Sequence, residues 1–315
     1  MKVLVTGANG FVGGWVIRAL LETGHEVIGA AGPAALPGVL SREESQRVTW
    51  AVLDLERPDS VRAIAALEVD AVIHLAAVAS VAFSLTEPLI TWRVNVLGTM
   101  ALLEALAGRR RTAGVDPMVL LVSTAEVYGP GATEPRRETD PMRPVSPYAA
   151  SKAAAELGAF EVWRRTGLRV VVARPFPHTG PGQAPRYAVP GFLERIRLAQ
   201  RTRAPVVKTG NLEPVRDLLD VRDVAAAYLA LLTAGAPGEC YNVATGHGLS
   251  LEEIFHRIAD AVGYAVIPER DPALARGMDI PHLVGDPGKL HAATGWSPRF
   301  TLDQTFQLML DAEAD

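Results

Sequence analysis

The chain has 315 residues, 49% of them apolar, which is enough for one large domain or two interlocked domains with a buried core. A formal net charge of −4 and the lack of a long basic run argue against a nucleic-acid partner. One cysteine, Cys240, excludes an internal disulfide and fits a reducing compartment, and no Cys cluster or close His pair indicates a metal site.

The N-terminal residues lead directly into an apolar segment, without the charged-then-apolar leader of a secretory signal. No uninterrupted apolar run approaches the ~18 residues that span a bilayer. We therefore expect a cytoplasmic protein without a membrane partner.

Short apolar segments alternate with helical patterns through the first half of the chain. The expected strands are residues 2–6, 26–30, 48–52, 71–75, 118–122 and 169–173. The expected helices are residues 15–23, 60–66, 91–107 and 148–166. This alternation is typical of an α/β fold in which helices cover both faces of a doubly wound parallel sheet.

Three glycines, Gly7, Gly10 and Gly13, lie between the first strand and a helix that begins near Phe11. Glycine permits the tight turn and lets backbone N–H groups approach a pyrophosphate at the helix N-terminus. The loop therefore predicts a dinucleotide site in a Rossmann-like sheet, with a merely tight strand–helix turn as the alternative. The other loop residues assigned to this site are Asn9, Phe11 and Val12.

The second strand runs into residues 29–32 without an acidic residue that would hold the ribose hydroxyls of NAD. Its absence favours NADP(H), but no arginine follows before Arg42, so NAD(H) stays possible. Asp54 and Leu55, after the third strand, are placed to meet the adenine. An N-cap or turn aspartate explains Asp54 equally well.

Proline-rich and glycine-rich sequence after Pro175 marks a change of character. We predict a cofactor domain formed by residues 1–177 and 216–245. A smaller, discontinuous C-terminal substrate domain would comprise residues 178–215 and 246–315. The cleft between the two is the expected ligand site.

Tyr148 and Lys152 stand four residues apart, on one face of a predicted helix, so the ammonium can lie near the phenol. A nearby cation favours the phenolate and lowers the tyrosine pKa from its ordinary value of ~10. Beside a redox cofactor the pair indicates proton transfer. Thr124, after the fifth strand, can bind the same substrate oxygen or cap a turn. Glu126 fits a general base, a sugar-binding residue or a solvated loop acid.

Together these motifs resemble the extended short-chain dehydrogenase/reductase family, whose members modify nucleotide-diphosphate sugars. The matching stretches are residues 7–13, 54–55, 74–77, 95–99, 123–124, 148–152, 174–176, 180–183, 216–217, 220–224 and 241–243. Within the family, residues 173–183, 210–217, 220–223 and 294–298 are most similar to GDP-4-keto-6-deoxy-D-mannose reductases, which form GDP-D-rhamnose.

The resemblance implies that Tyr148 transfers the proton, that Lys152 tunes its pKa and binds the ribose, and that Thr124 is the third catalytic member. It implies that Asn95 supports the active-site backbone or a water relay. It implies that Arg216 pairs with the diphosphate, the alternative being an ion pair with Asp217 or Asp220. Further implied cofactor contacts are Leu75, Ala76, Ala77, Asn95, Val122, Tyr148, Arg174 and Pro175. Further implied substrate contacts are Ser123, Thr124, Glu126, Tyr148, Phe176, Pro177, His178, Val189 and Lys208.

Two departures from the family pattern affect the predicted substrate. Pro177 stands where related enzymes carry asparagine, so one substrate contact is lost or moved; His178 either replaces it or has no ligand role. Ala125 and Glu126 replace the Asp-Glu pair of glucose-type 4,6-dehydratases, whereas mannose-type dehydratases are not excluded.

The sequence thus predicts NADP(H)-dependent reduction of the C4 ketone of a nucleotide-linked 4-keto-6-deoxy sugar, with a GDP-linked sugar favoured. The alternatives are a nucleotide-sugar 4-epimerase or 4,6-dehydratase that retains NAD(P), and a non-enzymatic NADP sensor on the same fold. The resemblance also implies a homodimer formed by paired helices.

Overall fold

A computed structural model describes residues 1–32, 38–131, 133–274 and 279–312 of the chain. The strands, in chain order, are β1 (Lys2–Thr6), β2 (Glu26–Ala31), β3 (Val48–Val52), β4 (Ala71–His74), β5 (Met118–Val122), β6 (Val170–Pro175), β7 (His178–Thr179), β8 (Val206–Thr209), β9 (Val215–Arg216), β10 (Leu219–Asp220), β11 (Cys240–Val243), β12 (Leu249–Ser250), β13 (Ile267–Arg270) and β14 (His282–Leu283).

The α-helices are α1 (Phe11–Glu22), α2 (Arg42–Gln46), α3 (Pro58–Ala65), α4 (Val81–Thr86), α5 (Pro88–Trp92), α6 (Thr99–Ala113), α7 (Pro147–Thr166), α8 (Ala188–Thr202), α9 (Val221–Ala234), α10 (Leu251–Val262), α11 (Gly288–Thr294) and α12 (Leu302–Ala312). A π-helical turn, Arg93–Gly98, joins α5 to α6, and short 3-10 helices form at Ala125–Tyr128 and Pro272–Leu274.

Seven parallel strands form the central sheet in the order β11-β6-β5-β4-β1-β2-β3. The chain runs outward in one direction from β1 through β2 to β3, and in the other from β4 to β11. The direction of winding therefore reverses between β1 and β4. In an open α/β sheet this reversal opens a crevice at the carboxyl ends of the strands, where ligands bind. The predicted Rossmann-like, doubly wound sheet is confirmed.

Both faces of the sheet are covered, which explains why its strands read as nearly continuous apolar runs. Along β1, Val3 and Val5 pack into a core with residues of α1 and α9, whereas Leu4 between them packs into the opposite core. That second core contains Leu102 and Leu106 of α6. The alternation follows from the two-residue repeat of side chains along a strand.

A separate core joins α8, α10 and α12. Phe192 of α8 meets Phe255 of α10 edge to face, with ring centroids 5.4 Å apart. Leu290 and Trp296, from the C-terminal part of the chain, instead belong to the core of the large sheet. Helices from two distant segments of the chain thus share one small core. The predicted boundaries of the two domains stay a prediction.

Residues Pro88–Ala113 form one continuous 26-residue helix, through α5, the π-turn and α6, with a mean hydropathy of 1.3 over 18 residues. By length and composition alone it is apolar enough to cross a membrane, as are core helices of globular domains. Arg93 and Asn95 interrupt its apolar sequence, so the helix contains no uninterrupted apolar run long enough to span a bilayer. Leu102, Leu103 and Leu106 on this helix are buried against the sheet.

Candidate active site

The glycine loop crosses from β1 to α1 at the crevice. Gly7 has φ +68°, and a Cβ there would come within 2.8 Å of the Ala76 nitrogen. A Cβ on Gly13 would overlap the Gly7 carbonyl oxygen and approach the Ala8 backbone to 2.9 Å. The backbone therefore packs too closely for any side chain at these two positions.

The N-terminus of α1 is available to an anion. Gly10 is its N-cap and supplies no side-chain hydrogen bond. The first N–H groups of a helix lack partners within it and carry the positive end of its dipole. A side-chain-free loop followed by such a helix end fits the pyrophosphate of a dinucleotide. Leu75 and Ala76 pack directly against Gly7, so the segment after β4 borders the same site.

Asp54 is exposed and lies in a local turn after β3. Its carboxylate accepts a hydrogen bond from the Glu56 amide at 2.9 Å, and Ser60 Oγ accepts one from the Asp54 amide at 2.9 Å. Leu55 packs against Gly98, where a side chain at position 98 would collide with it. Asp54 thus stabilises a local turn, as one of the two predicted roles required. An adenine contact by Asp54 and Leu55 stays a prediction.

Helix α7 carries the predicted catalytic pair, Tyr148 and Lys152. Ser146 caps it by accepting the Ala149 amide at 3.1 Å, and Pro147 occupies its first turn, so the helix begins immediately before Tyr148. Lys152 lies one turn further along and is only 6% exposed. The predicted juxtaposition of Tyr148 and Lys152 on one helix is therefore present.

Thr124 connects the helix to the end of β5. Its Oγ1 accepts the Glu126 amide at 3.3 Å, and its hydroxyl lies within hydrogen-bonding reach of the Tyr148 phenol. Glu126 is partly buried in the 3-10 helix that follows, and its charge acts on the same phenol. The structure thus brings together Thr124, Glu126 and Tyr148, although a loop of about twenty residues separates the first two from the third in the sequence.

The electrostatics of Tyr148 differ from the expectation. Burial raises the pKa of its phenol, the negative charge of Glu126 raises it further, and the hydrogen bond from Thr124 lowers it. The expected lowering of the Tyr148 pKa is therefore wrong for this structure, because desolvation of the phenolate outweighs the stabilising contacts. A protonated phenol at neutral pH is the form required of a proton donor.

Burial lowers the pKa of Lys152 to about 8, and the charge of Glu156 on the next turn opposes that effect. His74 lies behind the lysine, at the end of β4, where burial and the charge of Lys152 lower its pKa to about 3. The neutral imidazole bridges Thr6 Oγ1 at 2.7 Å and Thr99 Oγ1 at 3.0 Å. His74 thus connects the β1 end to α6 without adding charge.

The Lys152 shift gives a pH prediction. We expect turnover to fall as the pH rises through about 8, because the buried ammonium loses its proton there and no longer stabilises a Tyr148 phenolate. The raised Tyr148 pKa keeps the phenol protonated over the same range. The rate of the reducing step should be measured from about pH 6 to pH 10. A flat profile across this range would contradict the assignment of Lys152.

Asn95 fixes the backbone around the pair. It lies in the π-helical turn, a widened turn that often occurs at functional sites. Its Oδ1 accepts the Val78 amide at 2.7 Å, and its Nδ2 donates to Val78 O at 3.0 Å and to Ser151 Oγ at 2.9 Å. Ser151 in turn donates to the Tyr148 carbonyl at 2.7 Å. Support of the active-site backbone, as expected for Asn95, agrees with these contacts.

The predicted substrate residues after β6 lie in different environments. Phe176 is 1% exposed and stacks on Tyr128 inside the core. Pro177 is partly exposed, and its carbonyl accepts the Leu219 amide at 2.9 Å. His178 stacks on Phe11 of the glycine loop, with centroids 6.3 Å apart, and its Nδ1 donates to Phe176 O at 2.9 Å. His178 is therefore placed next to the cofactor loop.

In the three-stranded sheet β12-β9-β14, Arg216 of β9 forms an ion pair with Asp279 and donates to Ile280 O at 2.7 Å. Asp217 and Asp220, the alternative partners predicted for it, make other contacts. Asp217 instead accepts backbone amides from residues 245, 246 and 285, and Asp220 pairs with Arg222. Val189 of α8 is buried in the small core. Lys208 is exposed, with Asp271 at 3.6 Å.

Ser123 and Arg174, predicted to contact substrate and cofactor, both point their side chains at Glu156. The Ser123 hydroxyl donates to Glu156 Oε1, and Arg174 donates to both carboxylate oxygens. Sequence analysis did not single out Glu156. Its position four residues after Lys152, on the same helical face as the catalytic pair, was the available signal. Val122 ends β5, directly before Ser123, and Pro175 ends β6, directly after Arg174.

Among the described residues, no group of three or more His, Cys, Asp or Glu side chains is arranged to hold a metal ion.

Comparisons with known proteins identify the family of the chain. A family model described as GDP-mannose 4,6 dehydratase matches residues 4–309. The chain is 35% identical to GDP-6-deoxy-D-mannose reductase of Pseudomonas aeruginosa, over 98% of this chain and 96% of that protein.

Two solved structures are similar over nearly the full chain. One is of RMD from Pseudomonas aeruginosa complexed with NADPH, with a TM-score of 0.83, 34% identity and 99% of each chain covered. The other is of UDP-glucose 4-epimerase from Thermus thermophilus in complex with NAD, with a TM-score of 0.85 and 34% identity. It covers 99% of this chain and 98% of that chain.

Proposed function

Because the chain belongs to the GDP-mannose 4,6 dehydratase family, we propose that it reduces the C4 ketone of GDP-4-keto-6-deoxy-D-mannose to GDP-D-rhamnose with NADPH. The chain is an NAD(P)-dependent nucleotide-sugar oxidoreductase of the extended short-chain dehydrogenase/reductase type. The observation that carries the reductase proposal is that Tyr148, on the helix that also bears the buried Lys152, lies within hydrogen-bonding reach of Thr124. The similarity to a GDP-6-deoxy-D-mannose reductase supports the choice of sugar.

The side chains divide the chemistry as follows. When bound, the reduced nicotinamide supplies the hydride to C4. Tyr148 donates its proton to the C4 oxygen, so that the ketone gains one hydride and one proton and becomes the alcohol. Thr124 then donates a hydrogen bond from its hydroxyl to the phenolate left behind, and the Lys152 ammonium stabilises the same negative charge. The proton lost by Tyr148 is later replaced from solvent.

NADP(H) is our preferred cofactor because β2 ends without an acidic residue for the ribose hydroxyls. The solved relatives carry NADPH in one case and NAD in the other, which supports a nicotinamide cofactor in general. We assign the diphosphate to Arg216, whose guanidinium would exchange or share its contact with Asp279 when the nucleotide sugar binds.

The test is a cofactor absorbance assay with purified protein, NADPH or NADH, and GDP-4-keto-6-deoxy-D-mannose made in situ. We expect stoichiometric oxidation of NADPH with formation of a GDP-linked 6-deoxy sugar. NADH should be oxidised more slowly at the same concentration. Retention of the keto sugar together with all of the NADPH would contradict the proposal.

A 4-epimerase or 4,6-dehydratase is the second candidate. The proximity of Glu126 to Tyr148 favours it, because a carboxylate beside the phenol can act as a base in such reactions. These reactions return the hydride to the product, so they consume no net nicotinamide. Conversion of a GDP-, UDP- or dTDP-hexose without added cofactor, by protein that retains NAD(P) through purification, would establish this candidate.

We further propose that the protein is a cytoplasmic homodimer. The helix Pro88–Ala113 packs against α7, and both expose large apolar side chains. Leu89 is 73%, Leu97 65% and Leu157 61% exposed, which is unusual for apolar residues on neighbouring helices. A second copy of the same surface would cover them in a two-fold symmetric interface.

Light scattering tests the dimer. We expect Leu97→Glu and Leu157→Glu to convert a dimer into a monomer, because a buried, unpaired carboxylate is costly in an apolar interface. Leu198→Glu is the matched control, since Leu198 is 52% exposed on α8, away from this surface. A wild-type protein that is monomeric at micromolar concentration would contradict the proposal.

A further inference from the structure

Glu156 is completely buried on α7, and its carboxylate joins that helix to the sheet. Arg174, at the end of β6 and 4% exposed, donates Nη2 to Oε2 at 2.7 Å and Nε to both oxygens at 3.1 and 3.2 Å. Ser123, directly after β5, donates its hydroxyl to Oε1. One carboxylate thus holds α7 to the ends of two adjacent strands.

Arg174 extends the contacts to the loop that carries Glu126. Its Nη1 donates to the Tyr128 Oη at 3.0 Å and to the Glu138 carbonyl at 3.2 Å. Tyr128 donates to Asn242 Oδ1 at 2.6 Å, in the adjacent strand β11. Tyr128 is the last residue of the 3-10 helix Ala125–Tyr128, so this helix is fixed at the end opposite to Thr124.

The catalytic groups sit on the elements that this buried pair connects. Tyr148, Lys152 and Glu156 are spaced by four residues and share one face of α7. Ser123 is covalently next to Thr124, and the 3-10 helix contains Glu126. A displacement of α7 relative to the strand ends would therefore separate Tyr148 from Thr124.

We propose that Glu156, through Arg174 and Ser123, is a positioning residue that holds Tyr148 and Lys152 against Thr124 for proton transfer. A buried ion pair is weak evidence for stability, because apolar side chains of similar volume often replace it without loss. A positioning role of the Glu156–Arg174 pair is better supported. The Glu156 carboxylate accepts hydrogen bonds from Ser123 and Arg174, at the ends of β5 and β6, and Ser123 is followed directly by Thr124. The inference rests on the proposed function only for its kinetic measurements.

The negative charge of Glu156 also affects the pKa of Lys152. It raises the pKa of Lys152 against the effect of burial, so its removal should let Lys152 lose its proton at a lower pH. The neighbouring groups are His74 of β4, Tyr148 of α7, Tyr128 of the 3-10 helix and Cys240 of β11. Burial lowers the pKa of His74, and raises those of the two phenols and the thiol. All four are therefore uncharged near pH 7.

The experiment compares Glu156→Gln with the wild type and with Glu161→Gln, an exposed glutamate on the same helix that pairs with Arg165. For Glu156→Gln we expect kcat to fall about 10- to 100-fold with less change in KM, and the alkaline loss of activity to move to lower pH. Glu156→Asp, which keeps the charge but shortens the side chain, should lose kcat without that pH shift. Glu161→Gln should match the wild type.

Two measurements keep the inference testable if the protein catalyses another reaction or the variant folds poorly. The Lys152 titration, followed by NMR of ¹³C-labelled lysine in the cofactor-bound protein, should shift to lower pH in Glu156→Gln. The double variant Glu156→Leu/Arg174→Met removes both buried charges and should fold, yet remain as slow as Glu156→Gln. Restored wild-type activity in the double variant, or an unchanged Lys152 titration, would overturn the proposal; an inactive wild type would contradict only the reductase assignment.

Discussion

Replacing Tyr148 with phenylalanine is expected to lower kcat of the reductase by roughly 10³-fold. The substitution removes only the hydroxyl, which is the group that donates the proton to the C4 oxygen. The phenol lies beside Thr124 at the start of α7, and its raised pKa keeps it protonated at neutral pH. Among the described residues of α7, no other hydroxyl forms a hydrogen bond with the Thr124 side chain.

Binding of the cofactor should be unchanged in Tyr148→Phe, as measured by fluorescence of bound NADPH, because the glycine loop lies on another element. Tyr264→Phe is the matched control. Tyr264 donates its hydroxyl to the Ala204 carbonyl at 3.2 Å within the smaller domain, so its loss should not affect turnover. Turnover by Tyr148→Phe at the wild-type rate would contradict the assignment of Tyr148 as the proton donor.

Gly13→Ala is expected to weaken binding of the nicotinamide cofactor about 10- to 100-fold, the effect of losing one hydrogen bond to a charged group, ~1.5–3 kcal/mol. The new methyl group would overlap the Gly7 carbonyl and press on the Ala8 backbone, which cannot move aside as a side chain can. The loop must then shift away from the first turn of α1, where the backbone N–H groups meet the pyrophosphate.

Isothermal calorimetry with NADPH measures this effect directly. Gly108→Ala is the control, because Gly108 lies in α6 with no atom within 4 Å of the position that its Cβ would take. That substitution should leave binding unchanged and stabilise the fold by ~1 kcal/mol or less, as expected for alanine in place of glycine in a helix. Equal NADPH affinities for the wild type and Gly13→Ala would show that the pyrophosphate binds elsewhere.

The sequence predicted the sheet strands closely. Strands β1, β3 and β5 begin and end at the predicted residues. Each is a short apolar run bounded by polar or turn-forming residues, and the sheet is covered on both faces, so local sequence and final environment agree. The helix predicted at 91–107 was too short, since it continues from Pro88 to Ala113 through a π-turn. Proline at the first position of a helix and arginines in its last turn are compatible with that extension.

For the site, the sequence alone determined the elements with local causes: the glycine loop, whose spacing fixes a turn, and the Tyr148/Lys152 spacing, which fixes a shared helical face. The tertiary structure decided which partners those groups meet. Arg216 pairs with Asp279, and Arg174 and Ser123 with Glu156, across 63, 18 and 33 residues of chain respectively. The raised pKa of Tyr148 likewise depends on burial. Strand order and helix packing bring such remote groups together, and desolvation exists only once they have done so.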